Sequence, residues 1–541
     1  ACSLFLISNI IFFHGQEDAR PLLTTKYGQL LGNTVGAKET DRLVHVFMGV
    51  PFAKPPIGPL RFEAPQPPEP WSSVREATAA PPMCLQDKRG MEDLAEFFKA
   101  KFDFPPVSED CLYLNVFTPA DRGENPELPV MVFIHGGALT MGGASMFEGS
   151  ALCAYENVVV VSIQYRLGIM GFFSSGDKEV RGNFGFLDQV AALQWVRDNI
   201  KDFGGNPQSV TIFGESAGGV SVSAQVLSPL SKGLFHKAIA ESGVAILPVL
   251  VIKKYVGTLD FWIRLQLYNG FVIILRILEE THSQLQYLGN LQVAFVMFPA
   301  VVDGVFLPKP AEEILAAKES NPVPFLIGIN NHEFGWILPL VGTFVSYEIS
   351  PFFFLRRYRR PQSFHLFSSL VPLLMKEYFG DTNDQTEIRN KFLELNGDIL
   401  FVIPALRTAQ YHRDSGLPVY LYEFQHRPSL YDNSKDDFVK ADHGDELYFV
   451  LGGPFLNGDA IFQSRLFGDG TDEEKNLSKT MMKYWANFAR NGDPNGPGLV
   501  EWPAYDEDKD YLEINLKQKS SWRLKEGRLK FWTVTLPEKI R

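Results

Sequence analysis

Several features that would direct a chain toward other functions are missing from this sequence. There is no internal repeat, no low-complexity tract and no Gly/Ser-rich linker, so residues 16–541 are expected to form one large domain. The net charge of −12 argues against nucleic acid as a partner, because phosphate binding needs a basic face. No cluster of metal ligands and no nucleotide-binding loop is visible, so neither a metal nor a cofactor is expected.

Long uninterrupted apolar runs are absent as well. The apolar stretch 246–278 contains five charged side chains, so no transmembrane anchor is predicted. The run Leu4–Phe13 is too short to cross a bilayer but is typical of a signal peptide, so residues 1–15 are interpreted as its remnant. A buried N-terminal strand is the alternative. The signal peptide predicts a protein of the endoplasmic reticulum lumen or a secreted protein.

Cysteine is scarce, with 4 residues, of which Cys2 belongs to the signal-peptide segment. Cys84 and Cys111 lie in polar, loop-like contexts, where an oxidising compartment would let them pair. Cys153 follows Ser-Ala-Leu in a helix-like segment and is expected to be a buried thiol. Asn476, in Asn-Leu-Ser, is the candidate for N-glycosylation.

Short β-branched runs alternate with helical patterns along most of the chain. This alternation predicts an α/β fold with a large, mostly parallel central sheet and helices on both faces. Strands are predicted at 130–134, 158–165, 210–213, 237–240, 324–329 and 419–424, and helices at 188–200 and 217–227.

The strongest chemical signal is Gly214-Glu215-Ser216-Ala217-Gly218, between a buried strand and a helix of small residues. A strand–turn–helix context is what a nucleophile elbow needs, so Ser216 is predicted to be a nucleophile. The helix N-terminus places the amide of Ala217 where an oxyanion would form. The loop after the strand at 130–134 reads His-Gly-Gly-Ala, and its glycines let Gly136 and Gly137 donate to the same oxyanion.

A serine nucleophile needs a histidine base, and the histidine needs a carboxylate that fixes its tautomer. In α/β-hydrolases the acid and then the histidine follow the serine along the chain. After Ser216, His443 lies in a polar loop beside a glycine, and His426 at the end of a strand is its rival. For the acid, Glu333 follows an apolar strand, whereas its rival Asp303 precedes a glycine in a turn-like context. Spacing alone leaves both choices open.

These motifs resemble the type-B carboxylesterase/cholinesterase family over nearly the whole chain from about Gln16 onward. Further segments similar to that family's markers are Phe47–Ala53, Pro59–Phe62, Ser108–Asn115 and Phe203–Pro207.

The resemblance implies the α/β-hydrolase fold and a serine esterase that acts on small-molecule esters through an acyl-enzyme. It implies Ser216, Glu333 and His443 as the catalytic residues, and a disulfide between Cys84 and Cys111. The His-Gly-Gly-Ala loop is similar to the vertebrate carboxylesterase 2 subgroup, whose members are lumenal and hydrolyse esters, amides and some acylglycerols.

Two segments, 252–289 and 345–370, match the family poorly, and the family's second cysteine pair is missing after Cys153. Each segment is interpreted either as a divergent lid or as an error in the gene sequence. Three functions therefore remain in view. A carboxylesterase is the first, a cholinesterase or lipase of the same family is the second, and a catalytically silent adhesion domain is the third. The presence of serine, acid and histidine disfavours the silent domain.

Overall fold

The computed structural model describes residues 20–89, 92, 104–123, 126–248, 250–252, 299–337, 372–432, 434–457 and 469–540. The predicted signal-peptide remnant, residues 1–15, lies outside the described residues. The same holds for the atypical segments, 345–370 and, apart from Ile252, 252–289.

The strands of the described part of the chain are β1 Leu22–Thr25, β2 Gly28–Leu31, β3 Asn33–Gly36, β4 Leu43–Pro51, β5 Arg75–Glu76, β6 Met83–Cys84, β7 Val107–Ser108, β8 Tyr113–Pro119, β9 Leu128–Ile134, β10 Val159–Ile163, β11 Gly205–Glu215, β12 Lys237–Glu241, β13 Val251–Ile252, β14 Ala300–Val301, β15 Phe325–Asn330, β16 Val419–Phe424, β17 Asp510–Ile514 and β18 Lys519–Trp522. Eleven of these strands form one large sheet, in the order β18-β17-β16-β15-β12-β11-β9-β10-β8-β4-β3. Seven strands in its centre, from β10 to β17, run parallel, whereas β3, β4, β8 and β18 pair antiparallel at the two edges.

Helices follow the central strands and return the chain across the sheet. They are α1 Ser150–Glu156, α2 Gly168–Phe172, α3 Phe184–Asn199, α4 Ala217–Leu227, α5 Ala311–Ala316, α6 Gln385–Gly397, α7 Ile403–Asp414, α8 Leu447–Val450, α9 Asp472–Asn491, α10 Glu526–Lys530 and α11 Leu536–Ile540. In the described ranges, three π-helical turns, Met375–Phe379, Asp398–Val402 and Phe531–Thr535, adjoin helices. None of the helices in the described ranges combines the length and hydropathy of a bilayer-spanning segment.

Both faces of the sheet are buried, as the near-continuous apolar central strands predict. In β9, Val130, Val132 and Ile134 belong to a core that includes residues of α3, α4 and α7. Met131 and Phe133 of the same strand point to the opposite core, which includes residues of α1, α8 and α9. The predicted α/β architecture, with helices on both faces of a mostly parallel sheet, is confirmed.

The disulfide that the resemblance implies is present, with 2.05 Å between the sulfur atoms of Cys84 and Cys111. The loop-like context expected for Cys84 is wrong in detail, because Cys84 ends the two-residue strand β6, which pairs with β7. Cys153 lies in α1 and is a fully buried free thiol.

Candidate active site

Ser216 occupies the sharp turn between β11 and α4, with φ 58° and ψ −123°. Its amide donates to Glu241 O at 2.9 Å, so the turn is anchored on the neighbouring strand β12. The chain is packed too closely here for side chains on the flanking glycines. A Cβ at Gly218 would lie 2.0 Å from Ile134 O, and one at Gly243 would lie 2.0 Å from Ser216 O. The turn therefore holds the serine in a strained conformation at the carboxyl end of the sheet.

The three residues that the resemblance implies as catalytic lie together in one hydrogen-bonded chain. Ser216 Oγ is 2.8 Å from His443 Nε2, and His443 Nδ1 is 2.7 Å from Glu333 Oε2. These three residues follow the parallel strands β11, β15 and β16, whose carboxyl ends meet at one edge of the sheet. Because the Glu333 carboxylate can only accept, His443 Nδ1 carries a proton, and in the neutral imidazole Nε2 is free to accept one from Ser216.

The carboxylate of Glu333 is fully buried and held by two further donors. Its Oε1 accepts hydrogen bonds from Asn330 N at 2.6 Å and from Ser242 Oγ at 2.7 Å. Asn330 Nδ2 also donates to Asp442 O at 2.6 Å, so the acid loop is tied to the histidine loop. These contacts fix the orientation of the carboxylate that in turn fixes the imidazole.

The imidazole of His443 lies between aromatic rings and negative charges. The ring centroid of Phe401, in the π-helical turn Asp398–Val402, is 4.4 Å from that of the imidazole. Trp336, three residues after Glu333, stacks on the same imidazole with 6.1 Å between the ring centroids. Glu215 Oε1 approaches His443 Nε2 to 3.1 Å. Burial alone would lower the pKa of His443, but the charges of Glu215 and Glu333 raise it to about 9. Burial also raises the pKa of Glu215 to about 7.

The His135–Ala138 loop follows β9 and lies directly beside the serine. A Cβ at Gly136 would lie 2.7 Å from Glu215 O and 3.1 Å from Ser216 Cβ, and the first distance is too short for any residue but glycine. Within the described residues, the amides of Gly136, Gly137 and Ala217 donate to no backbone carbonyl. His135 Nδ1 lies 2.8 Å from Gly136 O, and burial lowers the pKa of His135 to about 4, so the ring is neutral with its proton on Nδ1.

The two rival residues have other partners. His426 Nε2 lies 3.0 Å from Glu474 Oε1, and the imidazole packs on Phe449. Asp303 Oδ1 accepts from the amides of Val305 at 3.1 Å and Leu307 at 2.9 Å, which is the turn-forming role expected of an Asp-Gly pair. In the part of the chain that the structure describes, Ser216 Oγ bonds to His443 and to neither of these side chains.

Additional buried acids surround the site. Burial raises the pKa of Glu241 to about 8, and that of Asp445 to about 7. Lys435 Nζ pairs with Asp445 Oδ1 at 2.6 Å, and burial raises the pKa of Glu446 well above its ordinary range. In the described ranges, these acids form no group of three or more ligands suited to a metal ion.

Sequence reasoning did not single out Glu215, Ser242 or Phe401 as part of the site. Glu215 stands inside the Gly-x-Ser-x-Gly motif, so its adjacency to Ser216 was the available signal. Ser242 and Phe401 are 91 and 42 residues from the partners they contact, so nothing local in the sequence indicates them.

A model of the carboxylesterase family matches residues 19–532. The chain belongs to the carboxylesterase family. It is 48% identical to the medium-chain fatty acyl-CoA hydrolase precursor of Anas platyrhynchos, over 97% of this chain and 94% of that protein. It is 48% identical to cocaine esterase of Homo sapiens, over 100% of this chain and 96% of that protein. Carboxylesterase 1D of Rattus norvegicus is 46% identical, over 96% of this chain and 94% of that protein.

This carboxylesterase is therefore a carboxylic ester hydrolase with the α/β-hydrolase fold, as the sequence predicts. The match includes all eleven strands of the central sheet, from β3 to β18. The alternative of a silent adhesion domain is not favoured, because the relatives carry the names of hydrolases and esterases.

Proposed function

We propose that the carboxylesterase hydrolyses small-molecule carboxylic esters by two-step acyl transfer on Ser216. His443 takes the serine proton as Ser216 Oγ attacks the ester carbonyl, and Glu333 stabilises the imidazolium that forms. The amides of Gly136, Gly137 and Ala217 hold the oxyanion. His443 then gives its proton to the leaving alcohol. A water deprotonated by His443 attacks the acyl-serine, which releases the acid and restores the serine.

The observation that carries this proposal is the continuous chain Ser216 Oγ–His443 Nε2 and His443 Nδ1–Glu333 Oε2, with 2.8 and 2.7 Å links. Ser216 and His443 are not fully enclosed, since Ser216 is partly exposed and 11% of the His443 side chain remains exposed. The neighbouring carboxylates that raise the pKa of His443 also stabilise its protonated form during proton transfer.

The relatives indicate which substrates to test first. One is named a fatty acyl-CoA hydrolase and another a cocaine esterase, so both thioesters and bulky alcohol esters belong in the panel. A panel of p-nitrophenyl esters of increasing acyl length, butyrylthiocholine and tributyrin separates a carboxylesterase from a cholinesterase or lipase. We propose that carboxylic esters are the substrates and that amides and acylglycerols are hydrolysed as well.

We also propose that the protein works in the lumen of the endoplasmic reticulum or after secretion. The Cys84–Cys111 disulfide supports an oxidising compartment. Asn476 is exposed on α9, whereas Ser478 of the same sequon is buried, with its hydroxyl donating to Phe449 O at 2.9 Å. Glycosylation of Asn476 would therefore precede folding of α9, and a peptide-N-glycosidase shift of the secreted protein tests for it.

The assignment of base is tested with two histidine variants. His443→Ala is expected to lower ester turnover by about 10⁴-fold or more, because the serine loses its proton acceptor. His426→Ala is the matched control and should keep most of the activity, since His426 contacts Glu474 rather than Ser216. Both are measured as purified secreted proteins with p-nitrophenyl acetate. An organophosphate should label Ser216 in the wild type, and an active His443→Ala enzyme would overturn the assignment.

A further inference from the structure

The loop that carries Gly136 and Gly137 continues to Gly142, whose backbone is held by the side chain of Gln86. Gly142 N donates to Gln86 Oε1 at 2.9 Å, and Gln86 Nε2 donates to Gly142 O at 2.8 Å. The side-chain amide thus satisfies both backbone groups of one residue, much as a neighbouring strand would. No other side chain in the described ranges makes hydrogen bonds to the backbone of Gly142.

Gly142 in turn lies directly against the oxyanion loop. A Cβ on Gly142 would meet His135 Nδ1 at 2.7 Å and Gly136 O at 3.0 Å, so its backbone packs on that imidazole and carbonyl. Met141 N and Thr140 N both donate to Gly137 O at 3.0 Å, which closes a tight turn from Gly137 to Met141, the residue before Gly142. A displacement of Gly142 therefore moves the peptide units whose amides face the oxyanion.

Gln86 is itself fixed by the disulfide. It stands two residues after Cys84, and its Nε2 also donates to Cys84 O at 3.0 Å. Across the bridge, Cys111 O accepts from Gln164 Nε2 at 2.6 Å, which ties the disulfide to the end of β10. The chain of contacts runs from the disulfide through Gln86 and Gly142 to Gly136.

We propose that Gln86 is a positioning residue for the oxyanion hole, through which the Cys84–Cys111 disulfide controls the geometry of the Gly136–Gly137 amides. This inference rests on the proposed roles of Gly136 and Gly137. Its consequence is catalytic rather than only structural. Loss of the Gln86 amide loosens donors that act in the transition state, so kcat falls while substrate binding is little changed.

The test compares Gln86→Met, which keeps the length of the side chain, and Gln86→Ala with the wild type. Removal of a single oxyanion donor lowers kcat by about 10²–10³-fold, and a displaced loop should lose part of this, about 10–100-fold, with KM changed by less than about 3-fold. A trifluoromethyl ketone forms an adduct with Ser216 that carries an oxyanion. Its affinity for the Gln86 variants should fall, relative to the wild type, by the same factor as kcat/KM.

The chain offers a matched control in Asn495. Its Oδ1 accepts from Trp502 N at 2.7 Å and its Nδ2 donates to Trp502 O at 2.9 Å, the same reciprocal pattern as Gln86 with Gly142. Asn495→Ala should lower thermal stability by a similar amount but leave kcat and ketone affinity unchanged. Equal losses of kcat in the Asn495 and Gln86 variants would overturn the proposal, because the effect would then be a general loss of stability.

The disulfide arm uses Cys84→Ser/Cys111→Ser with and without Gln86→Met. If both act through one path, the combined variant loses little more activity than either alone, and independent, multiplying losses contradict the coupling. A wild type that neither turns over esters nor binds the ketone would refute the proposed function itself. A wild type that does both, beside folded Gln86 variants with unchanged kcat, would refute only the role of Gln86.

Discussion

At the scale of single residues, the imidazole of His443 is surrounded by carboxyl groups. Glu333 Oε2 is 2.7 Å from Nδ1, Glu215 Oε1 is 3.1 Å from Nε2, and Asp442 Oδ1 accepts from the His443 amide at 2.9 Å. A proton placed on the imidazole is therefore stabilised from both sides. Because Glu215 and His443 titrate together, a pH–rate profile reports the pair rather than either residue alone.

We expect Glu215→Gln to move the acid limb of the kcat/KM profile to lower pH. Glu215 raises the pKa of His443 by its charge, so its removal lowers that pKa and leaves the base deprotonated further into the acid range. The shift should be about one unit, the size produced by one charge a few Å away, and the plateau should fall because the imidazolium loses a neighbour. The profile is measured with p-nitrophenyl acetate.

The control for this variant is Glu179→Gln, at an exposed position in the loop after α2. It removes the same charge from the molecule but none from the site, so its profile should overlay that of the wild type. If the acid limb of the Glu215→Gln profile stays in place or moves to higher pH, Glu215 does not raise the pKa of His443.

At the scale of elements, the site depends on how closely the turn between β11 and α4 packs against β9 and β12. Gly214 and Gly218 both face Ile134 O, where a Cβ would lie 2.4 and 2.0 Å away. Helix α4 can begin directly after the serine only because these positions lack side chains. Strand, turn and helix are therefore one unit whose geometry sets the position of the hydroxyl.

We expect Gly218→Ala to destabilise the protein by about 2 kcal/mol or more, despite the higher helix propensity of alanine. The gain of up to about 1 kcal/mol from propensity is smaller than the cost of forcing a methyl group against a backbone carbonyl. The secreted yield and the Tm should both fall. Gly527→Ala in α10 is the control, since a Cβ there meets nothing within 4 Å, and it should be neutral or slightly stabilising. A stable, active Gly218→Ala enzyme would contradict the packing argument.

Elements with strong local patterns could be predicted from the sequence, whereas their limits could not always be. Helix 217–227 and strand 419–424 have the predicted bounds. The strand predicted at 210–213 is in fact Gly205–Glu215, because its polar first half pairs with β9 only through a register shift between Gly205 and Val210. Such an irregular pairing depends on the neighbouring strand, and the sequence of the strand itself does not show it.

The candidate site shows the same division. Ser216 could be predicted from its own motif, and Glu333 and His443 from the resemblance. Spacing alone could not decide between His443 and His426 as the base, or between Glu333 and Asp303 as the acid. The contacts that distinguish them join residues far apart in the sequence. The role proposed for Gln86 belongs to this second kind, since it acts on a residue 56 positions away along the chain.

At the scale of the whole molecule, several buried carboxyl groups have raised pKa values and so keep their protons to higher pH in the folded protein. Burial raises the pKa of Glu241 from its ordinary 4.5 to about 8, and it raises those of Glu215 and Asp445 to about 7. These three carboxyl groups therefore bind more protons in the folded than in the unfolded state between about pH 4.5 and 8. Their contribution to stability decreases as pH rises through this window. Glu474 acts in the opposite sense, because its hydrogen bonds outweigh burial and lower its pKa to about 2.

We therefore expect the Tm of the wild type to be higher at pH 5.5 than at pH 8.5, and the difference to shrink in Glu241→Gln. The glutamine keeps an oxygen that can accept from Trp485 Nε1, now at 3.1 Å from Glu241 Oε1, but it has no proton to lose as pH rises. One such group contributes at most about 1.4 kcal/mol per pH unit. Thermal unfolding scans at one heating rate measure the effect.

Glu474→Gln is the control. Its lost stability is already complete above pH 4.5, so it should lower the Tm equally at both pH values. If Glu241→Gln keeps the pH dependence of the wild type, the buried carboxyl of Glu241 is not the source of that dependence.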